Sequence, residues 1–433
     1  MINTAEVFLW GTRIGIIHLD ENKPYLAFEY DKNFVGSGIE VSPFHMPLSN
    51  RVYEFPGLTG EVFRGAPGLI ADSLPDKFGN AVIDRWLADQ GKDIRDFNVV
   101  DRLCYTGTRG MGALEYRPAV GPTEQIVEDI HISNMVQFAS DILSKQKNMK
   151  LTADQNVGYS QLVQLGTSAG GARAKALIAW NEETKQIKSG QIDAGNGFEY
   201  WLMKFDGVKK NGDHNLEDPV EYTLIEYAYY LMATDAKIKM NECRVYEDDG
   251  KHHFMTKRFD RTGNQKMHMQ TLGALTHIDY NIPGLCSYEQ AAHYMKELGL
   301  IGEEIEQFYR RMVFNVILVN QDDHVKNISF LMDKQGRWTL SPAYDITFAY
   351  DTTNQWLKAH QMLINGKSNN IRYEDLIVAG KKMGLNKQKC NWIIGEVEEI
   401  ASKMPEYFEK VGIKEQTCDA IMQVVRGNDI NQT

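Results

Sequence analysis

A short polar loop between an apolar helix and an apolar hairpin constrains the fold of this chain more than any other stretch. The loop reads Asn-Gln-Asp-Asp-His-Val-Lys-Asn over residues 320–327, and residues 312–319 before it are apolar. Residues 327–340 then predict two short strands joined by a turn at residues 333–336. Because a hairpin brings its two ends together, the loop and Asp345 are expected to share one mouth.

The spacing of three polar residues within this stretch predicts phosphoryl transfer. Kinases place an asparagine that binds magnesium five residues after the aspartate that orients the substrate hydroxyl, and Asn327 follows Asp322 at that distance. A second carboxylate is needed after the hairpin, because hard cations take oxygen ligands, and Asp345 is placed to supply it. We therefore predict Asp322 as the catalytic base, with Asn327 and Asp345 as metal ligands.

Three alternatives stay open from the residues alone. Asp323 is a rival base, although it precedes Asn327 by four residues rather than five. The whole loop could be solvated surface, as polar loops usually are. His324 with the two aspartates could instead bind zinc or iron, although no second well-placed histidine supports such a site.

Composition indicates an ordinary globular protein without a general affinity for nucleic acid. The chain has 433 residues, 43% hydrophobic and 24% charged, which is enough for two to four cores. Its net charge of −11 does not provide the basic face that DNA binding needs. Direct DNA binding by this chain is therefore not expected.

Cysteine usage and hydropathy predict a cytoplasmic protein. The five cysteines form no Cys-x-x-Cys pair, so neither a disulfide framework nor a zinc knuckle is indicated, and a reducing compartment is expected. The longest apolar stretches, such as residues 312–319, are far too short to span a bilayer. The N-terminus has no basic region before its apolar run.

Two motifs resemble one known family. Asn-x-Asp-x-His-x-Lys-Asn at 320–327, followed by Leu-x-Pro-x-Tyr-Asp at 340–345, resembles the HipA family of bacterial serine/threonine kinases, the toxins of toxin–antitoxin pairs. Asp-Ser-Leu-Pro-Asp at 72–76 and Arg-Phe-Asp-Arg at 258–261 are also similar to that family. The resemblance covers most of the chain.

The resemblance implies a two-lobed, protein-kinase-like α+β fold of the HipA type. Its N-lobe would be a mixed sheet, its C-lobe mostly helical, and its cleft would bind ATP with Mg²⁺. Three parts are expected: an N-terminal subdomain at 1–146, the rest of the N-lobe at 147–260, and a helical C-lobe at 261–433.

A loop of small residues at 166–172 runs into a predicted strand. Small residues let backbone amides approach phosphate oxygens, and a loop followed by a strand is the kinase arrangement. The resemblance implies that the loop closes over ATP and that Ser168 becomes autophosphorylated; the alternatives are modification at Thr167 or a purely structural serine. It also implies nucleotide contacts from Gly170, Gly171, Ala172, Arg173 and Lys175.

Lys204 is the predicted phosphate lysine. It lies in the apolar strand at residues 200–205, and a buried strand seldom keeps an unpaired lysine, whereas a kinase needs a cation against the phosphates of ATP. The alternative is an edge-strand lysine whose amino group reaches solvent. Either Glu221 or Glu226, on a helix predicted over 217–233, could pair with Lys204, and the sequence does not choose between them.

The remaining nucleotide contacts come from the resemblance. It places the backbone of Lys257 and Phe259 against adenine and Asp260 near the ribose, at a hinge between the lobes. It also assigns nucleotide contacts to the catalytic-loop and hairpin residues His324, Lys326, Asn327, Tyr344 and Asp345. A second glycine stretch at 107–112 is interpreted as a structural turn, because no Lys-Ser/Thr pair or helix start follows it.

Periodicity predicts the secondary structure around these motifs. Alternation over 7–17 and 25–30, with a turn at 20–24, predicts a small antiparallel sheet, and Asp72 or Ser73 is expected to cap a helix that runs through Trp86. Residues 147–156 are the best candidate linker. Further helices are predicted at 126–145, 288–298, 303–319, 373–382, 387–403 and 405–425.

The resemblance also implies partners. It suggests a protein substrate, such as a translation component of the aminoacyl-tRNA synthetase class, and a helix-turn-helix antitoxin. DNA would then be contacted only through the antitoxin, and no membrane is involved. A chain that only binds the antitoxin as a co-repressor, without catalysis, is the alternative.

Overall fold

The structure is a computed structural model that describes residues 1–121, 131–143, 173–191, 193–208, 221–263, 265–428 and 430–431. Chain contacts divide it into two compact units. Unit 1 comprises residues 1–223, 242–269 and 333–336, and unit 2 comprises residues 224–241, 270–332 and 337–433. The predicted linker at 147–156 lies outside the described residues, and the three-part division of the chain stays a prediction.

Unit 1 begins with the predicted antiparallel sheet, in the order β4-β3-β2-β1-β5. Its strands are β1 (Thr4–Leu9), β2 (Thr12–Leu19), β3 (Leu26–Tyr30), β4 (Val52–Glu54) and β5 (Leu114–Arg117). The alternating stretch 7–17 contains two strands rather than one, because the chain reverses at Trp10 and Gly11, where φ is 49° and 81°. Positive φ at both central residues suits a two-residue hairpin loop, which period-2 alternation alone does not reveal.

The helices described in unit 1 are short. They are α1 (Lys32–Val35), α2 (Gly68–Ala71), α3 (Lys77–Asp89), α4 (Val99–Thr106) and α5 (Ile132–Leu143). The predicted cap of α3 is wrong: Asp76 caps it and accepts a 2.6 Å hydrogen bond from the amide of Gly79. Pro75 disfavours a helical conformation at residue 74, so α2 ends before it and a new helix starts after it.

Unit 1 also contains a second antiparallel sheet, in the order β7-β6-β8-β10-β9. Its strands are β6 (Lys175–Trp180), β7 (Ile187–Ser189), β8 (Glu199–Lys204), β9 (Cys243–Asp248) and β10 (Lys251–Lys257). Helices α3 and α5 pack on this sheet. Their shared core is apolar and includes Phe78, Val82, Ile83, Ile132, Met135, Ala176, Ile178, Trp201, Met203 and Met255.

Unit 2 is mostly helical in the part that the structure describes. After α6 (Tyr222–Asp235), whose first two residues belong to unit 1, its helices are α7 (Leu272–Thr276), α8 (Tyr288–Glu297), α9 (Glu303–Ile317), α10 (Tyr373–Met383), α11 (Lys387–Ser402), α12 (Met404–Val411) and α13 (Glu415–Gly427). The helices predicted at 288–298, 303–319, 373–382 and 387–403 are confirmed. The helix predicted at 405–425 is wrong as one element, since it breaks at Gly412, where φ is 80°.

The predicted hairpin after the polar loop is present. Two small strands, β11 (Arg261–Thr262) and β12 (Gln265–Lys266), precede a three-stranded sheet of β13 (His268–Thr271), β14 (Ser329–Met332) and β15 (Trp338–Leu340). Helix α9 lies at the centre of unit 2, because every residue from Gln307 to Ile317 is buried. Of the described helices, none is both long enough and apolar enough to cross a membrane.

Candidate active site

The polar loop starts with a sharp turn at the end of α9. Val319 has a φ of 55°, in the left-handed region that a β-branched residue rarely adopts. Main-chain hydrogen bonds hold this turn: the Ala349 amide donates to the Val319 carbonyl at 3.1 Å, and the Gln321 amide donates to the Ala349 carbonyl at 2.9 Å. The loop is therefore fixed to the chain that follows the hairpin.

Asp322 and Asn327 are joined directly across the loop. The Asn327 side-chain amide Nδ2 donates to the main-chain carbonyl of Asp322 at 2.9 Å. This bond occupies the amide nitrogen of Asn327 and leaves its oxygen Oδ1 for another ligand. The Asp322 side chain is 46% exposed, and its Oδ1 lies 3.7 Å from His324 Nε2. Its carboxylate can therefore meet a substrate from solution.

Asp323 has a different environment, which separates it from Asp322. Its side chain is 1% exposed. Oδ1 accepts from the Gln361 amide at 2.7 Å, and Oδ2 lies 2.9 Å from both the Tyr288 hydroxyl and His360 Nδ1. Both carboxylate oxygens are engaged inside unit 2, so this arrangement supports Asp322 as the base.

The end of the hairpin brings Asp345 to the same place. The Tyr344 hydroxyl donates to the Lys326 carbonyl at 2.8 Å and lies 2.5 Å from Ser329 Oγ, so the loop and the hairpin are tied together. Asp345 has a φ of 53°, an uncommon conformation that aspartate tolerates better than most residues. The predicted shared mouth is therefore present in unit 2.

These groups line one pocket of about 370 Å³, open solvent at its mouth included. Asp322, Asn327 and Asp345 are among the residues that line it. Arg311 also lines it; burial lowers the pKa of this guanidinium to about 10, and its Nη2 donates to the Ser341 carbonyl at 2.6 Å. The described residues contain no group of three or more His, Cys, Asp or Glu placed to hold a metal.

Tyr280 packs against His324 and Lys326, two residues of the loop that are predicted to contact the nucleotide. Its ring centroid lies 5.1 Å from that of His324, and the Lys326 amino group also lies 5.1 Å from the centre of the Tyr280 ring. The tyrosine thereby restricts both side chains.

Unit 1 places the predicted phosphate lysine beside a second lysine that is predicted to contact the nucleotide. Lys175 on β6 and Lys204 on β8 are directly opposite each other in the antiparallel register, and both are buried, with 4% and 7% of their surface exposed. Lys175 Nζ lies 3.8 Å from the Asp76 carboxylate, and Lys204 Nζ lies 5.7 Å from the centre of the Phe254 ring. Like charges directly opposite each other on a sheet repel, so this pair concentrates positive charge on one face of the sheet.

The residues before Lys175 are only partly described. Arg173 lies over the Tyr222 ring at 4.4 Å, and the Tyr222 hydroxyl donates to the Phe205 carbonyl. The remaining predicted residues of the glycine loop lie outside the described residues: Ser168, Gly170, Gly171 and Ala172. The choice between Glu221 and Glu226 as the partner of Lys204 stays open.

The predicted hinge contacts fit less well. The Lys257 amide already donates to the Glu242 carbonyl at 2.8 Å, and the Lys257 amino group pairs with Glu199. Phe259 is half-buried. Asp260 is fully buried, so its predicted contact with a ribose has no support in this conformation.

Asp260 instead belongs to a buried cluster with two arginines. Burial opposes ionisation of this carboxyl, but Arg258 and Arg261 outweigh it and lower its pKa to about 2. Oδ2 also accepts from the Gly112 amide at 2.7 Å, and Arg261 donates to the Gly110 carbonyl at 3.1 Å. The glycine stretch 107–112 is thus held by the cluster, which supports the structural role predicted for it.

Two family models match most of this chain. Residues 5–117 match the HipA N-terminal domain, and residues 167–404 match the HipA-like C-terminal domain. The chain belongs to the HipA family. It is 26% identical over 257 residues to a Haemophilus influenzae protein described as a putative kinase, covering 51% of this chain and 75% of that protein.

One solved structure confirms the fold of this HipA-family chain. It is similar to HipA of Shewanella oneidensis MR-1, solved with HipB and its operator DNA, with a TM-score of 0.64 and 15% identity, over 98% of this chain and 96% of that one. It also matches the Helicobacter pylori proinflammatory kinase CtkA, with a TM-score of 0.39 and 13% identity, over 60% of this chain and 89% of that one. The first likeness establishes the predicted α+β, two-lobed HipA-like fold.

Sequence reasoning missed three residues beneath the polar loop of this HipA-family chain. Tyr288 and His360 bind Asp323 from 35 and 37 positions away, and Asn315 donates to the Tyr288 hydroxyl at 3.0 Å. No local spacing rule joins such distant residues. The sequence signal that could have found them was the adjacent aspartate pair. Neighbouring loop carboxylates tend to point apart, so one of the two is expected to face the interior, where it needs hydrogen-bond donors.

Proposed function

We propose that this HipA-family chain is a serine/threonine protein kinase that uses ATP and Mg²⁺. One observation carries the proposal: Asp322, Asn327 and Asp345 line one pocket, and the Asn327 side chain is bonded to the Asp322 main chain. This is the arrangement of a base beside two oxygen ligands that kinase chemistry needs. The relative described as a putative kinase supports the same activity.

The oxygen ligands of the pocket fit magnesium. Mg²⁺ is bound through one or two carboxylates and completes its coordination with phosphate oxygens and water. Asn327 Oδ1 and the Asp345 carboxylate would hold it, since both are oxygen ligands of the kind that Mg²⁺ prefers. Bound Mg·ATP supplies the transferable phosphoryl group and a cation that offsets its charge.

Asp322 would act on the substrate hydroxyl. Its exposed carboxylate accepts the proton as the serine or threonine oxygen attacks, so the new oxygen–phosphorus bond forms as the bond to the leaving diphosphate breaks. The Asn327 bond fixes the main chain at Asp322, and Asp323 stays outside the chemistry because its oxygens face Tyr288 and His360.

The paired lysines Lys175 and Lys204 would bind the phosphates of ATP. Two buried cations directly opposite each other on a sheet concentrate positive charge, which suits a ligand with several negative charges such as ATP. We also retain as proposed nucleotide contacts Gly170, Gly171, Ala172, Arg173, Lys257, Phe259, His324, Lys326 and Tyr344. Autophosphorylation at Ser168 rests on the family likeness, as does the translation component proposed as the protein substrate.

A helix-turn-helix antitoxin is the proposed partner, with DNA reached only through it in the cytoplasm. The Shewanella HipA structure contains HipB and operator DNA, which supports this partner class. The same observation supports the second candidate function, a catalytically silent co-repressor that binds an antitoxin. The pocket residues favour the kinase, because antitoxin binding by itself does not require Asp322, Asn327 and Asp345 together.

Incubation with Mg·ATP and mass spectrometry test the proposal. The wild-type chain should gain phosphate at a serine or threonine, Asp322→Asn should gain none while it retains ATP affinity, and Asp419→Asn, on the exposed face of α13, should match the wild type. Good ATP binding without phosphate on this chain or on a generic protein substrate would refute the kinase and favour the silent co-repressor.

A further inference from the structure

We propose that Asp323 is a positioning residue that fixes the catalytic loop to the chain that follows Asp345; the proposal rests on the proposed function. We call residues 346–363 the returning segment, because they lead from the metal-side aspartate back to the loop. Asp323 binds this segment through the Gln361 amide at 2.7 Å and His360 Nδ1 at 2.9 Å. Asp323 therefore connects the predicted base, Asp322, to the segment that follows the proposed metal ligand, Asp345.

The returning segment is attached to the loop at a second point. The Gln321 amide donates to the Ala349 carbonyl at 2.9 Å, and the Ala349 amide donates to the Val319 carbonyl at 3.1 Å. Residues 350–359 therefore lie between two attachments to the loop, one at Ala349 and one at residues 360–361. The attachment at Ala349 uses main-chain hydrogen bonds, whereas the attachment at residues 360–361 depends on the single side chain of Asp323.

A series of hydrogen bonds from helices α8 and α9 also holds Asp323. Asn320 Nδ2 donates to Asn315 Oδ1 at 3.0 Å, so the Asn315 amide nitrogen is left to donate to the Tyr288 hydroxyl, also at 3.0 Å. The Tyr288 hydroxyl then has its hydrogen free to donate to Asp323 Oδ2 at 2.9 Å. This series of hydrogen bonds connects α8 and α9 to the residues on both sides of Asp322, namely Asn320 and Asp323.

The arrangement predicts an effect on turnover rather than on ATP affinity. With its neighbours held, Asp322 is confined to one orientation toward the pocket. A displacement of about 1 Å in a catalytic group can reduce turnover by about 10²-fold. Asp323 lies outside the proposed nucleotide contacts, so loosening it should leave KM for ATP within about threefold of the wild-type value.

Asp323→Asn tests the proposal, with Asp419→Asn as the matched control on the surface of unit 2. Two readouts are compared: ATP turnover with its KM, and hydrogen–deuterium exchange of residues 320–328 and 346–363. In Asp323→Asn we expect kcat to fall by about 10 to 100-fold with KM little changed, and both segments to exchange faster together. The control should match the wild type in both readouts.

A second pair of variants covers the case in which Asp323→Asn does not fold. His360→Leu removes the Nδ1 donor, whereas His360→Asn keeps a nitrogen donor at that position. The first should loosen both segments and lower kcat, and the second should restore both.

The outcomes separate the two proposals. A wild-type protein that turns over no ATP refutes the kinase, and the exchange rates then decide by themselves whether Asp323 ties the segments together. Wild-type exchange in both segments of Asp323→Asn overturns the tether. Faster exchange with unchanged kcat in an active enzyme overturns the positioning role.

Discussion

The side-chain amide of Asn327 is bonded to the main chain of Asp322 at 2.9 Å. This contact orients two functional groups at once, since it holds the loop at Asp322 and directs the amide oxygen of Asn327 away from the bond. Asp345 lies at the end of the hairpin, so Asn327 and Asp345 line the pocket of unit 2 together with the exposed Asp322.

Replacing Asp345 should remove the metal-dependent part of nucleotide binding. Asp345→Ala deletes an anionic oxygen ligand, so ATP affinity in Mg²⁺ should fall by about tenfold or more, which corresponds to about 1.4 kcal/mol. Calorimetric titration with and without Mg²⁺ measures this, and Asp419→Ala is the control. Affinity that still rises on adding Mg²⁺ in Asp345→Ala would show that the metal is held elsewhere.

Removing the charge of Lys204 should weaken the binding of ATP far more than the binding of adenosine. Lys204→Met should lower ATP affinity by roughly 10 to 100-fold, about 1.4 to 2.7 kcal/mol, and adenosine affinity much less, because the lysine is assigned to the phosphates of ATP. Lys188→Met on β7 of the same sheet is the matched control. Equal losses for ATP and adenosine would place Lys204 outside the phosphate site.

Acid should destabilise unit 1 through a buried histidine. Burial lowers the pKa of His253 to about 4 from an unfolded value of 6.5. The unfolded state therefore binds more protons between these values, so the stabilisation is complete above about pH 6.5 and is lost as the pH falls toward 4. The full effect is about 3 kcal/mol.

His253→Asn should remove that sensitivity while keeping an acceptor for the Asp206 amide, which donates to His253 Nδ1 at 2.9 Å. Urea unfolding at pH 7 and pH 4.5 gives the difference in the free energy of unfolding, with the exposed His293→Asn as the control. His268 is also buried with a pKa of about 4, so part of the acid effect should remain. An unchanged pH dependence in His253→Asn would contradict the assignment.

The polar-loop motif and most helices could be predicted from the sequence because both depend on local spacing. Asp322, Asn327 and the strands that lead to Asp345 lie within a few dozen residues, and a hairpin must bring such ends together. The helices of unit 2 from residue 288 onward followed from apolar periodicity, apart from the break at Gly412, where a left-handed φ ends one helix; the short helix α7 was not predicted. Family motifs then supplied the fold, which the comparisons confirmed.

Only the tertiary structure decided which side chains are free and which are engaged. Asp322 and Asp323 are adjacent carboxylates that the sequence separates only by their spacing to Asn327, but Asp323 is buried because Tyr288 and His360, distant along the chain, supply hydrogen bonds to it. The pairing of Lys175 with Lys204 likewise depends on the register of β6 and β8. The sequence by itself determined the types and spacing of the reactive groups, whereas their exposure and charge balance come from long-range contacts that no local pattern specifies.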